Sequence, residues 1–253
     1  MTTPTPLDAC VAAVPAGASR SSGGVAGAMI HAEAIIFDMD GTMIDSMPSH
    51  AQAWVEFTRR RGMVIDVPDL MARTTGRNGT ECIRELLGRD VPQAEADALT
   101  REKEDIYRAL FAPRFAEVAG FRRFAAQVLQ RGLKMAVGTA GDAHNVQFAL
   151  QHLDMNPVPQ VIVRGDEGLR GKPHPDIFLE AARRISAVPA HCIVFEDAPF
   201  GIEAARRAGM RAVAICSTHS ADELAGPHVL AAVRDYTELM NTDFLESIHV
   251  ATA

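Results

Sequence analysis

The chain has 253 residues, enough for one large α/β domain or for a core domain with a small inserted one. Apolar residues make up 47% and charged residues 23%, a globular balance that excludes a disordered or fibrous chain. Lys plus Arg number 25 against 32 Asp plus Glu, a net charge of −7 that argues against nucleic acid or an anionic membrane surface as partner.

A small phosphorylated molecule remains compatible with that charge, because local positive charge can hold it. No apolar run reaches the length needed to span a bilayer. Cys10, Cys82, Cys192 and Cys216 lie far apart and form no CxxC. Neither a zinc knuckle nor a disulfide framework is expected, and the default compartment is the reducing cytoplasm. A monomer or weak dimer is expected.

Residues 1–30 are rich in Ala, Gly, Ser, Thr and Pro without amphipathic period, and read as a flexible N-terminal extension. They do not read as a signal peptide. Asp8 rather than Lys or Arg precedes the Ala-rich stretch, and Pro15 breaks the short apolar run.

From Ala34 onward, short apolar strands alternate with longer helical stretches, which predicts a Rossmann-like parallel sheet with crossover helices. The first strand is Ala34–Phe37. Residues 47–115 then show helical periodicity and no strand pattern. Met47, Ala51, Trp54, Val55 and Thr58 form one stripe, Gly62 and Pro68 mark ends, and further helices are predicted over Thr80–Leu87 and Gln93–Phe111. The expected division is a flexible segment 1–30, an α/β core of 31–46 and 116–253, and an all-helical cap of 47–115 roofing the carboxyl ends of the strands. Strands follow at Leu133–Val137, Gln160–Val163, Cys192–Phe195 and Ala212–Ile215. Helices fall at Ala143–Leu153, Pro175–Ile185 and Phe200–Ala208, the last ended by Gly209. From His219 the tail reads as a final helix and loop.

The chemistry concentrates at strand ends. In IIFDMDGTMIDS, Asp38 and Asp40 follow a buried strand and precede Gly41. Residues two apart on a strand share a face, and the glycine permits a tight turn, so two acids aim into one crevice. One can attack an electrophile while the other handles protons. Glu196 and Asp197 end a later strand. Alone, that pair also suits a helix N-terminus. Converging with Asp38, it would repel strongly: at an effective dielectric near 20, two unit charges about 4 Å apart cost roughly 4 kcal/mol. A hard divalent cation relieves this, and oxygen ligands suit Mg²⁺. Thr139, Ala140 and Gly141 end another strand and can offer a hydroxyl and backbone N–H groups to an anion. Lys172, in GKPHP just before a helix, is a point charge for a phosphoryl oxygen.

The order acid pair, Thr, Lys, acid pair resembles the haloacid dehalogenase superfamily from Ala34 to about Asp235. HPDIF and EDAPFGIEAA resemble its β-phosphoglucomutase-like branch, which has a helical cap. The resemblance implies Asp38 as the nucleophile that forms an aspartyl-phosphate. It implies Asp40 as acid and then base, with Thr139 and Lys172 holding the phosphoryl group. Mg²⁺ would sit on Asp38, the Asp40 carbonyl and Asp197, with Glu196 assisting. The second acid, Asp40, separates phosphoryl transfer from the dehalogenases of the superfamily. In the cap, His50 and Trp54 share a helix face. The resemblance implies that His50 and Lys103 face the substrate, although His50 also suits a packed helix residue and Lys103 a solvated REKED run. Gly76 and Arg77 belong to a polar loop suited to substrate contact or to a surface turn.

Three functions fit. The resemblance favours a Mg²⁺-dependent phosphatase of a small phosphorylated metabolite, with sugar phosphates the favoured class, because the first motif reads DGT as in phosphatases of this branch, whereas similar mutases often carry Val at the position of Thr42 and Ser at that of Ala198. A β-phosphoglucomutase-type isomerase shares the nucleophile, His50 and Lys103. A phosphate-binding protein without turnover is disfavoured, since no acid, hydroxyl or lysine of the set is missing.

Overall fold

The computed structural model describes residues 29–250; the first 28 residues, which carry most of the expected extension and Cys10, lie outside them. Strand β1 (Ile30–Ala32) is followed by β2 (Ala34–Phe37), every residue of which is buried. Its side chains alternate between two cores. Ile35 and Phe37 join Phe121, Phe124 and Phe195 on one face, while Ala34 and Ile36 join Ala136, Phe178 and Ala181 on the other. Burial on both faces is why this strand reads as a continuous apolar run rather than an alternation.

Four helices follow: α1 (Met47–Arg59), α2 (Val67–Thr74), α3 (Gly79–Leu87) and α4 (Gln93–Phe111). Asn78 and Glu81 make a capping box at the start of α3, and Gly88 ends that helix in the left-handed region. Ala96, Lys103, Ile106, Tyr107 and Phe111 are buried along α4 at helical spacing.

The alternation then resumes with α5 (Phe121–Gln130), β3 (Lys134–Gly138), α6 (Ala143–Leu153), β4 (Val161–Val163), α7 (Asp176–Arg184), β5 (Cys192–Glu196), α8 (Pro199–Arg207) and β6 (Arg211–Ile215). The chain closes with β7 (Val229–Val233), α9 (Tyr236–Met240) and β8 (Ile248–Val250). The result is an α/β fold: a Rossmann-like, fully parallel six-stranded sheet in the order β4-β3-β2-β5-β6-β7, with a helical cap segment inserted after β2.

Register sets the site. Phe37 is level with Val137 on one side and Phe195 on the other. Asp38, Gly138–Thr139 and Glu196–Asp197 therefore leave the sheet at one edge. The order reverses at β2, with β3 and β4 to one side and β5, β6 and β7 to the other, which is where such sheets open a crevice.

Two expectations need correction. Ile30 does not belong to a flexible segment: it is the first residue of β1, paired in parallel with Ile248 of β8. The tail after His219 is not only helix and loop, because Val229–Val233 forms the sixth strand beside β6. That strand is only partly covered, so its sequence lacks the strong apolar signature of β2.

Candidate active site

Asp38 is the first residue beyond β2, and its N–H donates to the Phe195 carbonyl. Lys172 reaches it from the loop before α7. The ammonium donates to Asp38 Oδ1 at 2.5 Å and to Glu196 Oε1 at 2.7 Å, and Lys172 is only 2% exposed. Glu196 Oε2 accepts from the Ala198 N–H at 2.7 Å, so both oxygens of that carboxylate are held. Gly201 permits this approach: a Cβ there would lie 1.8 Å from Glu196 Oε1.

Asp197 completes a buried cluster in which one oxygen from each of Asp38, Glu196 and Asp197 lies within 4.8 Å of the others. Gly41, at φ +75°, makes room for it, since a Cβ there would lie 2.1 Å from Asp197 Oδ2. Burial and the neighbouring carboxylates push Asp38 and Asp197 above the usual carboxylate range. Burial alone would lower Lys172, but Asp38 and Glu196 outweigh it and hold the lysine firmly protonated. When all three ionise, three carboxylates against one ammonium leave excess negative charge. An all-oxygen, buried donor set of this kind fits a hard divalent cation.

Asp40 makes its side-chain hydrogen bonds outside that cluster. Its Oδ1 accepts from Ser46 at 2.6 Å, from His50 Nε2 at 3.1 Å and from the Tyr107 hydroxyl at 3.4 Å. Burial would raise this carboxyl, yet His50, Ser46 and Lys103 hold it below its ordinary value. His50 is fixed in turn, stacked on Tyr107 with ring centroids 3.7 Å apart. Lys103 Nζ lies 2.7 Å from His50 Nδ1 and donates to Glu104 Oε1 at 2.9 Å. With Nδ1 accepting from Lys103, Nε2 carries the hydrogen directed at Asp40. Glu104 Oε2 then accepts from Asn145 of α6 at 2.8 Å, so the chain of contacts runs from cap to core.

The two groups face one cleft of about 730 Å³ of empty volume. Twelve of the thirteen residues singled out from the sequence line it; Lys172 meets Asp38 from the side. Trp54 is buried, with the Lys103 ammonium 5.0 Å from its ring. Gly76, at φ +89°, brings the cap loop against Lys172 and Phe200. Arg77 sits over the Phe200 ring at 5.3 Å and pairs with Glu85 at 3.4 Å. Ala140 and Gly141 line the cleft, but the Gly141 N–H is turned to the Thr139 hydroxyl at 3.0 Å, so that donor is engaged within the loop.

Sequence reading missed Ser46, Glu104, Tyr107 and Asn145, as well as Thr218, whose hydroxyl donates to Asp197 Oδ2. Tyr107 stands four residues after Lys103, on the same helix face, and that spacing was the available signal. Glu104 was concealed in a charge run that resembles a solvated face, yet it is 8% exposed.

A haloacid dehalogenase-like hydrolase model matches residues 32–209, more than half of the chain. The chain belongs to the haloacid dehalogenase-like hydrolases. The fructose-1-phosphate phosphatase YqaB of Escherichia coli (strain K12) is 34% identical to this hydrolase over 179 residues, covering 71% of this chain and 94% of that one. The β-phosphoglucomutase of Bacillus subtilis (strain 168) is 32% identical over 193 residues, 72% of this chain and 83% of that one. Among solved structures, β-phosphoglucomutase from Clostridium difficile superposes with a TM-score of 0.73 at 25% identity, covering 85% of this hydrolase and 96% of that chain. Among the described residues, no helix of this hydrolase is long and apolar enough to cross a membrane.

Proposed function

We propose that the protein is a Mg²⁺-dependent phosphatase that hydrolyses a small phosphorylated metabolite, a sugar phosphate, through an aspartyl-phosphate on Asp38. The observation that carries this reading is the Lys172 ammonium bridging Asp38 and Glu196, with Asp197 in the same buried cluster, beside the cleft that Asp38, Asp40, Glu196 and Asp197 line.

In the first half of the cycle, an Asp38 carboxylate oxygen attacks phosphorus and the bond to the leaving oxygen breaks. Asp40 delivers the proton that the leaving oxygen takes up. In the second half, water attacks the phosphorus of the aspartyl-phosphate, Asp40 accepts its proton, and inorganic phosphate and the Asp38 carboxylate are regenerated. The three donors on Asp40 favour its ionised form, which is the form the second half needs. The first half needs it protonated, so those contacts must loosen as substrate enters. Lys172 orients Asp38 and, with Thr139, faces the phosphoryl oxygens. Asp38 and Asp197, with Glu196 and the Asp40 carbonyl, would hold Mg²⁺, which when bound offsets charge on the cluster and the phosphoryl group. The active enzyme is proposed to be a monomer or weak dimer in the cytoplasm.

His50, Trp54, Gly76, Arg77 and Lys103 are proposed to contact the rest of the substrate. The named activity of the E. coli relative, a fructose-1-phosphate phosphatase, supports a sugar phosphate. Similarity to the Bacillus β-phosphoglucomutase favours a second reading, in which the phosphoryl group returns to the sugar. Phosphate release from a panel of sugar phosphates, set beside conversion of β-glucose 1-phosphate, separates the two. Release without isomerisation supports the phosphatase, isomerisation with little release supports the mutase, and neither rejects both.

A further inference from the structure

The segment after β6, residues 217–219, reaches back to both acidic loops. Ser217 Oγ donates to the Gly41 carbonyl at 2.5 Å. Thr218 Oγ1 donates to Asp197 Oδ2 at 2.5 Å, and His219 Nδ1 lies 2.9 Å from the Asp197 carbonyl oxygen. On its other side, Asp197 Oδ2 meets Gly41, where even a Cβ would collide with it. One oxygen of this carboxylate is thus held between a backbone without a side chain and a hydroxyl, and its rotation is restricted.

The chemistry of the holder matters. Lys172 bonds Asp38 and Glu196, and the side-chain hydrogen bond to Asp197 comes from Thr218. A neutral hydroxyl orients a carboxylate without cancelling its charge. An ammonium or guanidinium in the same place would fix it equally well and compete with a cation. Outer hydrogen-bond partners of metal-ligating groups set ligand orientation in this way.

We propose that Thr218 is a positioning residue for the divalent cation. It holds Asp197 where Asp38, Glu196 and Asp197 converge on one ion, and Ser217 keeps Gly41 packed against it. The inference rests on the Mg²⁺ reading above. Thr218 is exposed, so removing its hydroxyl leaves the core intact.

The test is direct titration of the substrate-free protein with Mn²⁺, following free Mn²⁺ by electron paramagnetic resonance. Mg²⁺ competition gives the affinity for the lighter ion. Thr218→Val and Thr218→Ala are expected to weaken binding about 10- to 100-fold, while Thr218→Ser, which keeps the donor, stays within about threefold of wild type. Wild-type affinity in both Thr218→Val and Thr218→Ala overturns the proposal. Equal loss in Thr218→Ser also overturns it, since the hydroxyl would then not be the cause. If the wild-type protein binds no Mn²⁺ or Mg²⁺, the metal reading itself fails and takes the proposal with it.

Discussion

The Lys172 ammonium lies 2.5 Å from Asp38 Oδ1, in contact with a residue 134 positions earlier in the chain. Among the described residues, it is the cation bonded to the buried three-carboxylate cluster. Replacing it with methionine leaves those acids without their counter-charge. Lys172→Met is expected to abolish turnover and to cost about 3–5 kcal/mol of stability in chelator, measured by urea unfolding. Added Mg²⁺ should recover part of that loss, because a cation bound only by the folded state stabilises it.

Asp38→Asn acts in the opposite sense on stability. It removes one of three crowded acids whose ionisation burial and its neighbours oppose, so the unfolding midpoint is expected to stay level or rise. Phosphatase turnover should fall by at least about 10³-fold, because an amide is no nucleophile here. Near-normal turnover in this variant would overturn the mechanism.

Asp40→Asn retains the shape of the side chain but neither gives nor takes the required proton. Both halves of the cycle should slow, by about 10²- to 10⁴-fold in steady-state turnover. Rapid-quench measurements would show both formation and breakdown of the phosphoryl-enzyme affected. Loss confined to one half would limit Asp40 to a single role.

Glu104 ties Lys103 and His50 to Asn145. Burial would raise its carboxyl, yet Lys103 and Asn145 hold it below the ordinary 4.5. A carboxyl lowered by folding adds stability above its unfolded value, and that contribution fades as pH falls through the lower folded value. Glu104→Gln should therefore be less stable than wild type near neutrality, and the gap should narrow as pH drops below 4.5. A constant gap across that range in urea unfolding would contradict the assignment.

The parallel sheet was legible because β2, β3, β5 and β6 are short, largely buried apolar runs, and Asp38, Gly138 and Glu196 mark the ends of the first three. Asp38, Lys172, Glu196 and Asp197 stood out because each follows a strand or precedes a helix, and register alone brings such ends together. β1 and β8 were not legible: each is three residues long and carries an exposed histidine at its centre. The direction of Asp40 was equally hidden. It depends on Tyr107, 67 residues away, and on a stacked His50 that no spacing rule reports. Asn145 reads as an ordinary helix surface residue, and only packing of α6 against α4 turns it toward Glu104. Thr218 shows the same limit, since a hydroxyl after a strand has no pattern that names Asp197 as its partner.

The central claim is that phosphorus passes through Asp38. Acid-quenching the enzyme during turnover of a sugar phosphate, followed by peptide mass mapping, tests it most directly. The account predicts one added phosphoryl group on the peptide containing Asp38, absent from Asp38→Asn. Steady phosphate release with no covalent phosphoryl-enzyme, or with the group on another residue, would contradict it.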